Sequence, residues 1–188
     1  MSRINRPILF SKHFNVDSSN LKKNQLIDPF INVDTQLFID PLLLSKSSNK
    51  IISSQAKERF HEHFSNLVRL LALSRKKSDT PWRSAEKLLD LREPPQNGLG
   101  YGGNDTSGSS RPKSVQQKIL HTAKEIIDLG SSDPEMISLM GLFEEGVGPD
   151  TISDLTTRII LEDLGLITQL FCEKYEIETR LSDFSPHL

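Results

Sequence analysis

The residues whose types best suit chemistry are acids close to a predicted helix start near the C-terminus. Asp150 follows Gly148-Pro149, and Asp154 comes four residues later in the segment GVGPDTISDLT. A Pro-Asp pair followed downstream by Glu-x-Lys is the skeleton of one large nuclease class, in which two acids and a lysine hold Mg²⁺ and orient water to attack a phosphodiester. Together with Asp40, which precedes Pro41, these two acids are the predicted catalytic residues.

A structural role explains the same acids and is the favoured interpretation. In that nuclease class the second acid and the lysine usually lie on a strand, whereas Glu173-Lys174 falls in a predicted helix. Aspartates in the first turn of a helix interact favourably with its unpaired N–H groups. Asp154 also lies four residues before Arg158, a spacing that predicts an ion pair along the helix.

Two further sets of side chains have the types that bind metal ions. Carboxylates that suit Mg²⁺ or Ca²⁺ occur at three positions in the N-terminal region, Asp28, Asp34 and Asp40. Aspartates before proline or in turns are also common for local reasons. Ligand types at helical spacing occur at Glu58, His61 and Glu62. A solvent-facing charged surface is the favoured interpretation of this second set, and the sequence assigns no particular metal.

A glycine-rich segment at 96–110 predicts a long loop that ends beside a helix start. Its GxxxxG spacing is not followed by the Lys-Ser/Thr pair that a P-loop requires, so a nucleotide site of that kind is not predicted. Helix N-termini nevertheless favour anions. The candidate anion-binding residues are therefore Ser109, Ser110, Arg111 and Lys113. A solvated loop is the favoured alternative.

Apolar spacing predicts a mainly α fold. Residues recurring at intervals of three and four, bounded by capping residues, glycine and proline, predict about five helices near residues 53–77, 83–91, 112–130, 133–145 and 148–175. Gly165 lies inside the last of these and predicts close packing or a kink. The segment 26–44 contains two Asp-Pro pairs and predicts a short extended or hairpin element, because proline removes a ladder donor.

Length and composition limit the classes of protein to consider. The chain has 188 residues, which predicts an N-terminal arm at 1–25, one helical domain at 26–178 and a tail at 179–188. The formal net charge of −2 argues against nucleic-acid binding driven mainly by bulk charge. The single cysteine, Cys172, excludes an internal disulfide framework. The sequence has no membrane-spanning run and no secretory signal, so a cytoplasmic location is expected.

Three segments together resemble a known group of proteins. They are LFIDPLLL at 37–44, the glycine-rich segment at 98–110 and GVGPDTISDLT at 146–156. Their order and spacing resemble the N-terminal part of a group of largely uncharacterised bacterial proteins from mobile genetic islands and suspected phage-defence loci. The resemblance covers roughly residues 26–178. Members of that group continue into a further segment after the last helix, so the native protein is expected either to be a short member or to extend past Leu188. The motif of that group usually carries Asn where Arg158 stands here, so the resemblance implies no role for Arg158.

Two functions follow as expectations. The resemblance and the lack of a complete active-site pattern favour a helical accessory or interaction subunit of a bacterial anti-phage defence assembly, with a protein partner and no cofactor. The alternative is a metal-dependent nuclease or other phosphodiester-acting effector, which would use Mg²⁺ at Asp40, Asp150 and Asp154. Whether the chain is an enzyme stays open, as does nucleic acid as a partner. A membrane partner is not expected.

Overall fold

The chain is mainly helical, as predicted. The computed structural model describes residues 6–92, 94, 97–100, 113–139 and 145–179. Its α-helices are α1 Phe10–His13, α2 Ser18–Lys23, α3 Lys57–Leu73, α4 Thr80–Leu88, α5 Lys113–Asp128, α6 Pro134–Leu139, α7 Pro149–Ile159 and α8 Leu161–Lys174. A 3₁₀ helix spans Pro41–Lys46, and a π-helical segment, Ile51–Ala56, runs directly into α3.

Helix α3 lies at the centre of the fold. It packs against α4, α5, α6 and α7. Its buried positions share the spacing of three and four residues that predicts an amphipathic helix, and they are Phe64, Leu67, Val68 and Leu71. The neighbouring helices add the buried side chains Trp82, Leu120, Ile137 and Ile159 to one apolar core. The predicted apolar face of this helix is therefore confirmed.

The last predicted helix is two helices. The break lies at Ile160, whose φ of −100° and ψ of 17° depart from helical geometry. The side chain of Ile160 is fully buried in the core. The Ile160 N–H still donates to the Thr156 carbonyl, and the Ile160 carbonyl accepts from the Leu164 N–H (3.0 Å each), so the break is local. The prediction of one continuous helix at 148–175 is therefore wrong, and Gly165 lies within α8.

The segment 26–44 does not form a hairpin. Within the described residues its pairings are two isolated β-bridges, one antiparallel between Leu9 and Phe30 and one parallel between Thr35 and Leu99. Its last residues form the 3₁₀ helix, because Asp40 caps this helix and Pro41 suits a first helical turn. The segment therefore connects distant parts of the chain.

The N-terminal residues pack against the last helix. The Asn24 side chain donates a hydrogen bond to the Tyr175 hydroxyl (2.9 Å) and accepts one from Lys174 Nζ (2.9 Å). The Phe10 ring lies 6.2 Å from that of Phe171. These contacts join the two ends of the described chain. Among the described helices none is both long and apolar enough to cross a membrane.

Candidate functional site

The candidate site lies along α7, a helix that is buried on most of its sides. Every residue from 151 to 157 is buried, including Ser153, Asp154 and three threonines. A helix buried all round is normally apolar, and buried polar groups normally require partners. The Thr156 hydroxyl donates to the Ile152 carbonyl (2.7 Å), and the Ser153 hydroxyl accepts from the Ile39 N–H (2.9 Å). Helix α7 is therefore buried and yet carries many polar side chains.

One face of α7 carries three charged residues at intervals of four, Asp150, Asp154 and Arg158, and the last two bond residues 90, 92 and 97. Asp154 Oδ1 accepts a hydrogen bond from Asn97 Nδ2 (2.9 Å). The Arg158 guanidinium donates to the Arg92 carbonyl (2.6 and 3.2 Å) and pairs with Asp90 at 3.4 Å. Asp90 also pairs with Arg92, and the pKa of Asp90 is lowered by these arginines despite its partial burial. The sequence predicts an ion pair between Asp154 and Arg158. The structure describes contacts of Asp154 with Asn97 and of Arg158 with Asp90 and Arg92.

The residues 97–100, which we call the strap, also pair with the N-terminal region. The Thr35 N–H donates to the Gly98 carbonyl (2.7 Å), and the Gly100 N–H donates to the Thr35 carbonyl (3.0 Å). These two bonds form the parallel bridge between Thr35 and Leu99. The strap is therefore held between Thr35 on one side and α7 on the other.

Two carboxylates approach the last residue of the strap. A Cβ atom at Gly100 would lie 3.3 Å from Asp34 Oδ2 and 3.4 Å from Asp150 Oδ1, so glycine leaves room for both side chains. Burial raises the pKa of Asp34, and the negative charge of Asp150 raises it further. Asp150 lies in the first turn of α7, where the helix dipole favours a negative charge. The arrangement places two half-buried carboxylates beside one buried glycine.

The predicted catalytic acids lie on two elements, helix α7 and the start of the 3₁₀ helix. Asp150 and Asp154 lie one turn apart on α7, and Asp154 is only 2% exposed. Asp40 lies on the surface, where its carboxylate accepts from the Leu42 N–H (2.9 Å) and caps the 3₁₀ helix. The structure adds Asp34 to the pair on α7. The approach of Asp34 to Asp150 beside Gly100 could not be predicted, because these two residues are far apart in sequence.

The acids and histidine of the other two predicted metal-binding sets differ in their local contacts and exposure. Asp28 accepts from the backbone N–H and the hydroxyl of Ser11 (2.9 and 2.6 Å). Glu58, His61 and Glu62 are exposed on α3, as expected for a solvent-facing surface. Burial lowers the pKa of neighbouring His63 to about 4. Within the described ranges, no group of three or more His, Cys, Asp or Glu side chains is arranged to hold a metal ion.

The predicted anion site falls mostly outside the described residues. Ser109, Ser110 and Arg111 are not among them, while Lys113 is the first residue of α5 and is exposed. This site therefore stays a prediction.

A second feature is a surface with many exposed apolar side chains. Of the thirteen large hydrophobic residues that are exposed in the described part of the chain, six fall within residues 27–43, and they are Ile27, Ile31, Leu37, Phe38, Leu42 and Leu43. We call them the apolar surface. The 3₁₀ helix, α3 and α6 line an adjacent groove of about 210 Å³, whose floor includes Leu44, Phe60 and Phe64. These six residues are close in sequence, and exposed apolar side chains that adjoin one another in space are typical of contact surfaces.

Comparison with known proteins gives one result. The family model described as Domain of unknown function (DUF8370) matches residues 15–187, which is most of the chain. No curated protein and no solved structure matches this chain.

Proposed function

The chain belongs to the DUF8370 family, and we propose that it is an interaction subunit that binds another protein through its apolar surface. The observation that carries this proposal is the concentration of exposed apolar side chains at residues 27–43. Burying such side chains against an apolar partner is favourable by about 25 cal/mol for each Å² of apolar area removed from water. The groove beside Leu42 would receive a side chain of the partner.

The burial of Asp154 on helix α7 also supports a binding role. Asp154, the most deeply buried of the predicted catalytic acids, lies beneath the strap and is bonded to Asn97. A catalytic carboxylate must reach its substrate, whereas this carboxylate holds a neighbouring segment. The acid is therefore better explained by its structural contact.

The setting that we propose for this subunit is a cytoplasmic bacterial anti-phage defence assembly. The support is the resemblance of residues 37–44, 98–110 and 146–156 to proteins from suspected phage-defence loci. The partner is then another protein of the same assembly.

The test is purification of the tagged chain from its native host, with and without the substitutions Leu37→Asp and Leu43→Asp. A charge on the apolar surface costs binding energy because the carboxylate would be buried without a partner. We expect a stoichiometric partner with the native chain, identified by mass spectrometry, and its loss with either variant. Circular dichroism checks that the variants remain folded.

The matched control is Leu129→Asp, because Leu129 is 87% exposed at the end of α5 and lies outside the apolar surface. It should retain the partner. The proposal is wrong if the native chain purifies alone, or if all three variants retain the partner equally.

The second candidate is a metal-dependent nuclease or other phosphodiester-acting effector. The observation that favours it is the approach of the Asp34 and Asp150 carboxylates to one point beside Gly100. Carboxylate oxygens are ligands for Mg²⁺, but among the described residues these two acids are not joined by a third His, Cys, Asp or Glu in an arrangement that could hold a metal ion. We therefore derive no metal-dependent step.

This candidate has a direct test. Cleavage of DNA or RNA that needs Mg²⁺ or Mn²⁺, and that disappears in both Asp34→Asn and Asp150→Asn, would support it. Asp128→Asn is the control, because Asp128 is exposed on α5, where it pairs with Lys124. Full cleavage by the two variants, or no cleavage by the native chain, excludes the assignment.

A further inference from the structure

The imidazole of His63 lies between α3, which carries it, and the end of α4. Its Nε2 atom is buried and has no hydrogen-bond partner among the described residues. The ring lies beside the apolar ring of Phe64, with 5.5 Å between the two centroids. The carbonyl of Leu88, the last residue of α4, accepts a hydrogen bond from the imidazole. One titratable side chain therefore joins the middle of α3 to the C-terminal turn of α4.

We propose that His63 is an acid-sensitive lock between α3 and α4. The lock is closed while the imidazole is neutral, and protonation of the ring opens the C-terminal turn of α4. This inference does not depend on the function proposed above, because it rests on the contacts between these two helices.

The buried Nε2 atom is the reason that protonation favours opening. Both nitrogens of an imidazolium carry hydrogen, so Nε2 would become a buried donor without an acceptor. A buried charged donor without a partner costs free energy. Moving the end of α4 away from α3 lets water reach the ring and removes this cost.

The charged groups around the lock have partners of their own or are exposed to solvent. Within four residues of His63 on α3, or of Leu88 at the end of α4, the titratable side chains are Arg59, His61, Glu62, Glu86, Lys87, Asp90 and Arg92. Arg59 pairs with two acids of α8, Glu86 accepts from two side chains, and Asp90 pairs with Arg92. The other four of the seven are exposed. Among the described residues, no charge on these helices or on the others that pack against α3 shifts the pKa of the imidazole.

The pH dependence has a definite sign. Burial lowers the pKa of His63 from 6.5 to about 4, and this outweighs the hydrogen bond to Leu88, which raises the pKa. Because the pKa is lower in the closed state, closure is favoured fully above the ordinary value of 6.5, and this advantage is lost as the pH falls towards about 4. One pKa unit is tenfold in an equilibrium constant, so the ratio of open to closed chains should rise on the order of tenfold between pH 7 and pH 5.

The experiment is hydrogen exchange of the Leu89 amide in the full chain, measured by NMR at about pH 7 and pH 5. This N–H donates to the Ala85 carbonyl at the end of α4 (3.0 Å). Rates are divided by the intrinsic rate at each pH to give protection factors. The reference is the Leu164 amide on α8, which donates to the Ile160 carbonyl (3.0 Å). We expect the protection of Leu89 to fall on the order of tenfold and that of Leu164 to fall less. An equal fall at both amides overturns the lock, because the proton would then act on the whole fold.

Two variants decide the assignment. His63→Gln keeps an amide that can donate to the Leu88 carbonyl but takes up no proton in this range, so the protection of Leu89 should be nearly the same at both pH values. His61→Gln is the matched control, because His61 is exposed on the same helix, and it should behave like the native chain. An unchanged pH response in His63→Gln overturns the lock.

If His63→Gln does not fold, the native chain is decisive. The ring-proton signal of His63 is then followed by NMR as the pH is lowered. We expect the imidazole to stay largely neutral down to about pH 5, since its pKa is about 4 in the closed state. Titration of His63 near the ordinary value of 6.5 in the folded chain overturns the lock.

Discussion

Single carboxylates in this chain differ in what surrounds them, and Asp79 accepts hydrogen bonds from four groups. It caps α4 by accepting from the Trp82 N–H (3.0 Å), and it accepts from the N–H groups of Arg75 and Lys76 and from the Ser74 hydroxyl (2.8, 3.2 and 3.0 Å). These bonds, first that of Trp82, lower the pKa of Asp79 from 3.8 to about 2. One side chain thus connects the end of α3 to the start of α4.

The prediction for this residue is a pH-dependent loss of stability in Asp79→Ala. A pKa that is lower in the folded state contributes stability above the ordinary value of 3.8, and that contribution is lost as the pH falls through about 2. The urea midpoint should therefore fall clearly at pH 7, and the difference from the native chain should shrink at about pH 3. Asp128→Ala, at an exposed ion pair with Lys124, should change little at either pH. An equal difference at both pH values would contradict the assigned cause.

Helix α3 is the element on which the others pack, so its two faces should respond very differently to truncation. Leu71 is fully buried, and Leu73, two residues later on the same helix, is 69% exposed. Leu71→Ala should lower the free energy of unfolding by about 2–5 kcal/mol, because the lost apolar contacts leave a cavity. Leu73→Ala should change it by less than about 0.5 kcal/mol.

Urea denaturation of the two variants measures this contrast on one helix with one type of substitution. A similar cost for both leucines would mean that α3 does not lie at the centre of the fold. A small cost for Leu71→Ala alone would mean that the core around it collapses to fill the space.

The elements that sequence could predict are those with local signals. The apolar face of α3 repeats within a single segment, and α4 has its cap at Asp79 and a proline in its first turn. The break at Ile160 has no such signal, since neither glycine nor proline stands there. Ile160 is fully buried in the core, and burial of this kind depends on the packing of the whole chain.

The candidate site was predictable only in part for the same reason. The sequence predicts that α7 carries Asp150 and Asp154, because Gly148-Pro149 is a helix start. The partner of Asp154 is Asn97, which lies 57 residues earlier. No spacing rule connects such positions. The sequence therefore indicates the acids but not the segment that covers them.

At the scale of the whole molecule, the N-terminal residues and the last helix form one packed unit. The sequence predicts an N-terminal arm at residues 1–25, and from within this range the Phe10 ring contacts Phe171 and Asn24 bonds Tyr175. Cys172, the only cysteine, follows Phe171 and is buried, and burial raises the pKa of its thiol. A buried thiol with a raised pKa reacts slowly, because the thiolate is the reactive form.

Phe10→Ala should therefore speed the reaction of Cys172 with a thiol reagent under native conditions. Removing the Phe10 ring takes away a contact of Phe171 and so favours local opening of the C-terminal part of α8. The rate is followed by absorbance, with Cys172→Ser as the chemical blank. Ile8→Ala is the matched control, because Ile8 lies in the same arm and its side chain is exposed. Equal labelling rates for Phe10→Ala, Ile8→Ala and the native chain would show that the arm does not protect α8. A faster rate for Phe10→Ala alone would show that the two ends of the chain stabilise each other.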